Sequence, residues 1–102
     1  MGVELHVTGR IQAGRFAEFL RAAERWRAYR RERGWALPRV MCGLSGEMNS
    51  VRLVFAYPDL AVFEREDIEE AGDRRYAEVA MGMPFDGPIV YTLYRDALPP
   101  PV

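Results

Sequence analysis

The spacing of hydrophobic and polar positions changes several times along this chain, and each change marks an element. Val3, Leu5 and Val7 alternate with Glu4, His6 and Thr8, the two-residue period of a strand. Gly9 to Gln12 finish that strand, and Ala13-Gly14 turn the chain. Over residues 15–33 the period becomes helical: Phe16, Phe19, Leu20, Ala23 and Trp26 recur at three- and four-residue steps, and Arg27 and Arg30 continue the series. Arginines crowd the last turn, where they complement the helix dipole, and Gly34 supplies the residue after the helix. Residues 35–44 read as a second strand. Pro38 removes a ladder donor there, so this strand belongs at a sheet edge.

Residues 46–60 are a turn, a strand and a stop. Val51, Leu53, Phe55 and Tyr57 occupy one face, and Val54 and Ala56 make the other face apolar as well. Pro58-Asp59 ends the strand, and Asp59 is placed to cap a helix opening at Leu60. Gly72 breaks that helix, and Asp73 caps a second piece carrying Tyr76, Val79, Ala80 and Met83. Asp86-Gly87-Pro88 turn the chain into a last strand over residues 89–95, and residues 98–102 form an extended tail.

Strand, helix, strand, strand, broken helix, strand is an α+β order, and right-handed crossovers bring the first and third strands to the centre of a four-stranded antiparallel sheet. Both helical regions then lie on one face, giving a ferredoxin-like fold in a single domain spanning residues 1–102. Three strands carry apolar residues on both sides, so the helix-free face also needs covering. A second copy packed sheet to sheet, a dimeric α+β barrel, supplies that cover.

Composition narrows function by exclusion. Fourteen basic and fifteen acidic residues leave a formal net charge of −1, so no global field attracts nucleic acid or an anionic membrane. The arginine cluster at residues 25–33 reads as a solvated helix end, and the acidic run at residues 64–70 as a solvated helix face. Cys42 is the only cysteine; it is expected to be an inert strand residue, with no disulfide and no cysteine-rich metal site. No apolar run approaches the roughly 18 residues of a membrane span, and no signal pattern opens the chain. The cytoplasm is the expected compartment, and neither metal nor cofactor is expected.

Gly46-Glu-Met-Asn-Ser-Val-Arg-Leu-Val-Phe-Ala-Tyr-Pro-Asp-Leu resembles the turn, strand and helix start of the NIPSNAP family. Phe16-Ala-Glu-Phe-Leu after Gly14 is similar to that family's first helix, and Asp73-Arg-Arg-Tyr-Ala-Glu-Val to its Asp-x-x-Trp/Tyr helix. The resemblance implies the dimeric α+β barrel superfamily, which includes cofactor-free aromatic monooxygenases, polyketide cyclases, lactone isomerases and haem-degrading enzymes. It therefore constrains function weakly.

His6 is the only histidine, and Glu4 and Thr8 share its face two residues to either side. Three polar side chains on one face of a central strand fit a cavity between sheet and helices. There His6 would act as general base with Glu4 orienting it; the plainer account is a hydrogen-bonded structural residue or one near a rim. A polyketide cyclase of the implied superfamily is similar in having a first-strand histidine proposed as base, but its second, helix-borne histidine has no counterpart here. Arg52, on the face of Val54 and Ala56, can reach Glu4 or an anionic oxygen; an internal ion pair is the plainer account. Trp26, Tyr76, Tyr91 and Tyr94, with Thr8, would line a site for a flat apolar ligand, although each also suits core or interface. Trp35 and Phe63 read as packing, and Met81 and Met83 as adaptable packing at a pocket mouth. The expected protein is a homodimer binding a small hydrophobic or aromatic molecule, with possible cofactor-free proton-transfer, oxygenation or cyclisation chemistry. The alternative is a NIPSNAP-like binding or accessory protein without chemistry. Haem degradation is disfavoured because the single histidine lies on a strand.

Overall fold

The structure, a computed structural model, describes residues 2–101; Met1 and Val102, the last residue of the expected tail, lie outside the described residues. The elements are β1 (Val3–Ile11), α1 (Phe16–Arg33), β2 (Arg39–Cys42), β3 (Ser50–Tyr57), α2 (Leu60–Ala71), α3 (Arg74–Ala80) and β4 (Phe85–Arg95). The four strands form one antiparallel sheet in the order β2-β3-β1-β4, with the first and third strands central and β2 at an edge. This is the ferredoxin-like α+β arrangement that the element order implies.

Local chemistry sets the boundaries. Gly34 ends α1 in the left-handed region at φ 70°, and its N–H and that of Trp35 close back on the last turn at Arg31 and Arg30. Asp59 accepts a hydrogen bond from the Val62 N–H at 2.8 Å, and Asp73 accepts one from the Arg75 N–H at 3.1 Å, so both expected caps are made. The second strand is shorter than its pattern: residues 35–38 stay outside the ladder, because the chain there is still folded back on α1 and then meets Pro38. The last strand is longer. Residues 86–88, expected as a turn, belong to β4, and a bulge opposite Thr8–Arg10, with Gly87 at φ 83°, absorbs the irregularity.

One core lies between the sheet and all three helices. Val3, Val7 and Ile11 of β1 and Val51, Leu53, Phe55 and Tyr57 of β3 meet Phe19, Ala23, Trp26 and Tyr29 of α1, with Val62, Phe63, Tyr76 and Val79 closing the rim. That choice fixes the other face of β1. Because side chains alternate, Glu4, His6, Thr8 and Arg10 must point away from the helices. The cavity between sheet and helices expected to hold Glu4, His6 and Thr8 is therefore lined by their neighbours Leu5 and Val7 instead.

The two sequence-level readings of charge also need correction. Arg30 is not part of a solvated arginine face: it is 2% exposed. Its guanidinium donates to Glu66 Oε1 at 2.9 Å and Glu70 Oε2 at 2.6 Å, and lies over the Phe55 ring at 4.8 Å. The acidic run is likewise split, with Glu66 buried, Glu70 half-buried, and Glu69 accepting from the Trp35 Nε1–H at 3.0 Å. Cys42 lies on β2, as expected, and is exposed; Met81 is exposed, and only Met83 joins the rim of the core.

Candidate functional site on two faces of one sheet

The residues singled out in the sequence divide between the two sides of the sheet. On the helix-free side, β1 and β3 pair His6 with Val54 and Thr8 with Arg52, so Arg52 reaches diagonally to the imidazole. Arg52 Nη1 lies 2.8 Å from His6 Nδ1, and His6 Nε2 lies 3.0 Å from Glu4 Oε1. A guanidinium has only donors, so Nδ1 must be the acceptor. These contacts fit the tautomer with its proton on Nε2, donating to Glu4, so that both ring nitrogens are engaged. Tyr94 of β4 stacks edge-on against the imidazole with centroids 4.7 Å apart. Glu4, His6, Arg52 and Tyr94 line an open groove of about 440 Å³ on this face. Thr8 and Arg52 also line a neighbouring groove of about 600 Å³ with Arg10, which is paired to Glu47 at 3.0 Å.

On the helix side lies a narrow crevice of about 80 Å³, lined by Leu5, Phe55, Trp26, Tyr76, Tyr91 and Glu70, among others. Trp26, Tyr76 and Tyr91 therefore lie together, and the sheet separates them from His6 and from Tyr94. The rings are held by contacts with their neighbours: Trp26 meets Phe55 at 5.7 Å and Tyr76 at 6.4 Å between centroids. The Trp26 Nε1–H is buried without a hydrogen-bond partner among the described residues.

Sequence reasoning missed the polar wall of this crevice. Burial pushes the Glu70 carboxyl above the usual glutamate range, and the Arg30 guanidinium opposes that rise. Burial likewise raises Tyr57 to about 12 and moves Tyr76 upward. The signal was present in the spacing. Arg30 falls four residues after Trp26 on the apolar stripe of α1, and Glu66 and Glu70 stand four apart on α2, each one or two turns from the apolar Val62-Phe63 pair. Among the described residues, no group of three or more histidine, cysteine or carboxylate side chains is placed to hold a metal ion. No described helix is long and apolar enough to cross a membrane.

No protein-family model matches the sequence, and no curated protein matches it. Solved structures do. An uncharacterized NIPSNAP domain protein from Burkholderia xenovorans superposes with a TM-score of 0.76 over 100% of both chains at 25% identity. The fold is that of a NIPSNAP domain. A NIPSNAP family protein from Agrobacterium tumefaciens matches at a TM-score of 0.75 and 13% identity, covering 94% of this chain and 86% of its own. From Bordetella bronchiseptica, a chain named as a candidate antibiotic biosynthesis monooxygenase matches at 0.72 and 15% identity, covering 95% and 98%. The NIPSNAP resemblance seen in the turn, strand and helix motifs thus extends to the architecture of the whole chain, and the monooxygenase likeness is one of fold.

Proposed function

We propose that the protein is a homodimer that binds a small apolar or aromatic molecule in the crevice between the sheet and the helices. The observation carrying this reading is the lining of that crevice, in which Trp26, Phe55, Tyr76 and Tyr91 surround one acidic wall at Glu70. Small-molecule sites combine apolar surface with a few polar groups in this way. At about 80 Å³ the crevice accepts the end of a flat ligand, and Tyr91, 61% exposed, lies at its open side. Proton transfer to or from such a ligand falls to Glu70, a desolvated carboxylate beside it, rather than to His6 across the sheet. The monooxygenase-like and NIPSNAP neighbours lend support through fold analogy alone.

The second copy is argued from the helix-free face. The strands of 9, 4, 8 and 11 residues, at about 3.3 Å per residue and about 4.8 Å between strands, give a projected face of about 510 Å². That is of the order of the ~800 Å² each partner contributes to a stable interface. Val90, 53% exposed, and Tyr94, 49% exposed, offer it apolar contacts. The charges on this face occur in both signs and are largely paired within the chain, which suits a two-fold partner presenting the same surface.

Two experiments test the parts separately. Fluorobenzene, followed by its fluorine NMR signal, is expected to bind the protein and to lose binding in Leu5→Trp, which fills the crevice. Equal binding by that variant would place the ligand elsewhere. Sedimentation velocity is expected to show a dimer that Thr92→Lys, in the middle of the helix-free face, dissociates; a monomeric wild-type chain would refute the assembly.

A further inference from the structure

The cluster that ties Arg52, His6 and Glu4 together lies in the helix-free face proposed to meet the second copy, and a role for it in assembly rests on that proposal. We infer that this face pairs with its copy only while His6 is neutral, so that the dimer carries its own proton-operated release. The geometry leaves one protonation state that fits. With Arg52 Nη1 at 2.8 Å, Nδ1 has to present its lone pair, and Nε2 has to present its hydrogen to Glu4. A second proton on the ring would set an N–H against an N–H at that distance and add a positive charge beside a guanidinium. Arg52 would then have to leave the imidazole.

In an open monomer this displacement is cheap, because Arg52 swings into water. Beneath a second sheet there is no water to swing into. The side chain of His6 is only 19% exposed even in the single chain, closed in by Tyr94 and Arg52. An isologous interface contains the cluster twice, so each protonation event is felt at two symmetry-related places. Like charges brought together in an interface oppose association.

The other charged and titratable groups on this face come from every strand and from the turn beside them. They are Glu4 and Arg10 on β1, Arg52 on β3, Arg39 on β2, Asp86 and Tyr94 on β4, Arg95 and Asp96 at the end of the groove that holds His6, and Glu47 in the connecting turn. Beside these residue types, histidine is the one whose ordinary range puts its change of charge between about pH 5 and 8. Glu4 offsets the effect only in part. It already accepts from Nε2 in the neutral state, so the new proton strengthens that bond by charge without adding another, and the cluster still gains one positive charge.

The test is the dimer dissociation constant of the full chain, from sedimentation velocity over a concentration series at about pH 8 and about pH 5.5, with far-UV circular dichroism recorded at both. Wild type is expected to dissociate about tenfold more readily, or more, at the lower pH, as like charge in an interface implies, while its circular dichroism is unchanged. His6→Gln, whose amide accepts from Arg52 and donates to Glu4 without ever charging, is expected to dimerise equally at both. Wild-type dimer equally tight at both pH values, an equal step in His6→Gln, or loss of the fold at the lower pH would each overturn the inference and leave the dimer standing. A chain monomeric at both would overturn the dimer itself, and the proton-operated release with it.

Discussion

Arg30 is the side chain whose loss this fold should feel most, and its surroundings say by how much. The guanidinium is 2% exposed and is paired with two carboxylates, Glu66 at 2.9 Å and Glu70 at 2.6 Å, while its Nε–H donates to the Ala36 carbonyl. Glu66 is itself buried and also accepts from the Ala36 N–H at 2.9 Å, so it cannot turn outward without releasing the segment that leads from α1 to β2. Arg30→Met keeps the volume and removes the charge. Breaking a buried ion pair from one side costs about 3–5 kcal/mol because the remaining charge stays buried. A domain of this size holds only ~5–15 kcal/mol in total. The assay is urea unfolding followed by tryptophan fluorescence, at one fixed protein concentration so that association does not shift the midpoint. Restoring neutrality in Arg30→Met/Glu66→Gln/Glu70→Gln should recover most of the loss, since a neutral buried cluster avoids the desolvation cost. The pH dependence has a definite sign. Burial raises the Glu70 pKa in the folded state, so its contribution to stability is fully present below the ordinary glutamate range and is lost as pH rises through the raised value. Arg30 opposes that rise, so removing it enlarges the effect, and Arg30→Met should be less crippled near pH 4.5 than at pH 7. A loss below about 1 kcal/mol at pH 7, within the range of an ordinary hydrogen bond, or a triple variant no better than the single, would refute this account of the cluster.

Three further outcomes are expected from local geometry. Asp59→Ala removes the cap on α2 and should cost about 1 kcal/mol by urea unfolding. Asp73 is held below the usual aspartate range by the Tyr29 hydroxyl that donates to it at 2.7 Å. Its stabilisation is therefore present above the unfolded aspartate value and lost as pH falls through the depressed one, and Asp73→Asn should flatten the acid limb of a thermal-stability profile in that window. Gly43→Ala places a Cβ 2.5 Å from the Glu47 carbonyl oxygen, a backbone atom that cannot step aside, and should destabilise the β2–β3 turn by about 1–3 kcal/mol, read as a lowered Tm.

The fold was legible because its signals are local and repeated. Val3-Leu5-Val7, the Phe19 to Trp26 stripe and the caps at Asp59 and Asp73 each agree with the observed sheet order. The site was only half legible. Alternation says that Glu4, His6 and Thr8 share a face, and it is silent on which face the helices choose. That is decided by where Leu5 and Val7 find apolar partners, a fact of the tertiary packing. Three polar neighbours suggested a cavity, when they mark the side the helices leave open. Arg30 was misread for a related reason. A run of arginines at a helix end looks solvated as a set, while one member on the apolar stripe carries its own counter-ions inward. The limits of β2 and β4 moved because Pro38, Gly87 and the bulge act through ladder geometry rather than through hydropathy.

The outer border of β4 adds a demand of another kind. Ile89-Val90-Tyr91-Thr92-Leu93-Tyr94 is six uncharged residues of high strand propensity in a row, on a strand with a neighbour on one side alone. Such a segment has the signature of a steric zipper, able to recruit identical strands into cross-β fibrils. Pro88 lacks a donor and Arg95 carries a charge, so this run is bracketed at both ends by residues that discourage growth. Neither gatekeeper belongs to the buried core, so substituting one is expected to favour fibril growth along this edge while leaving the core in place.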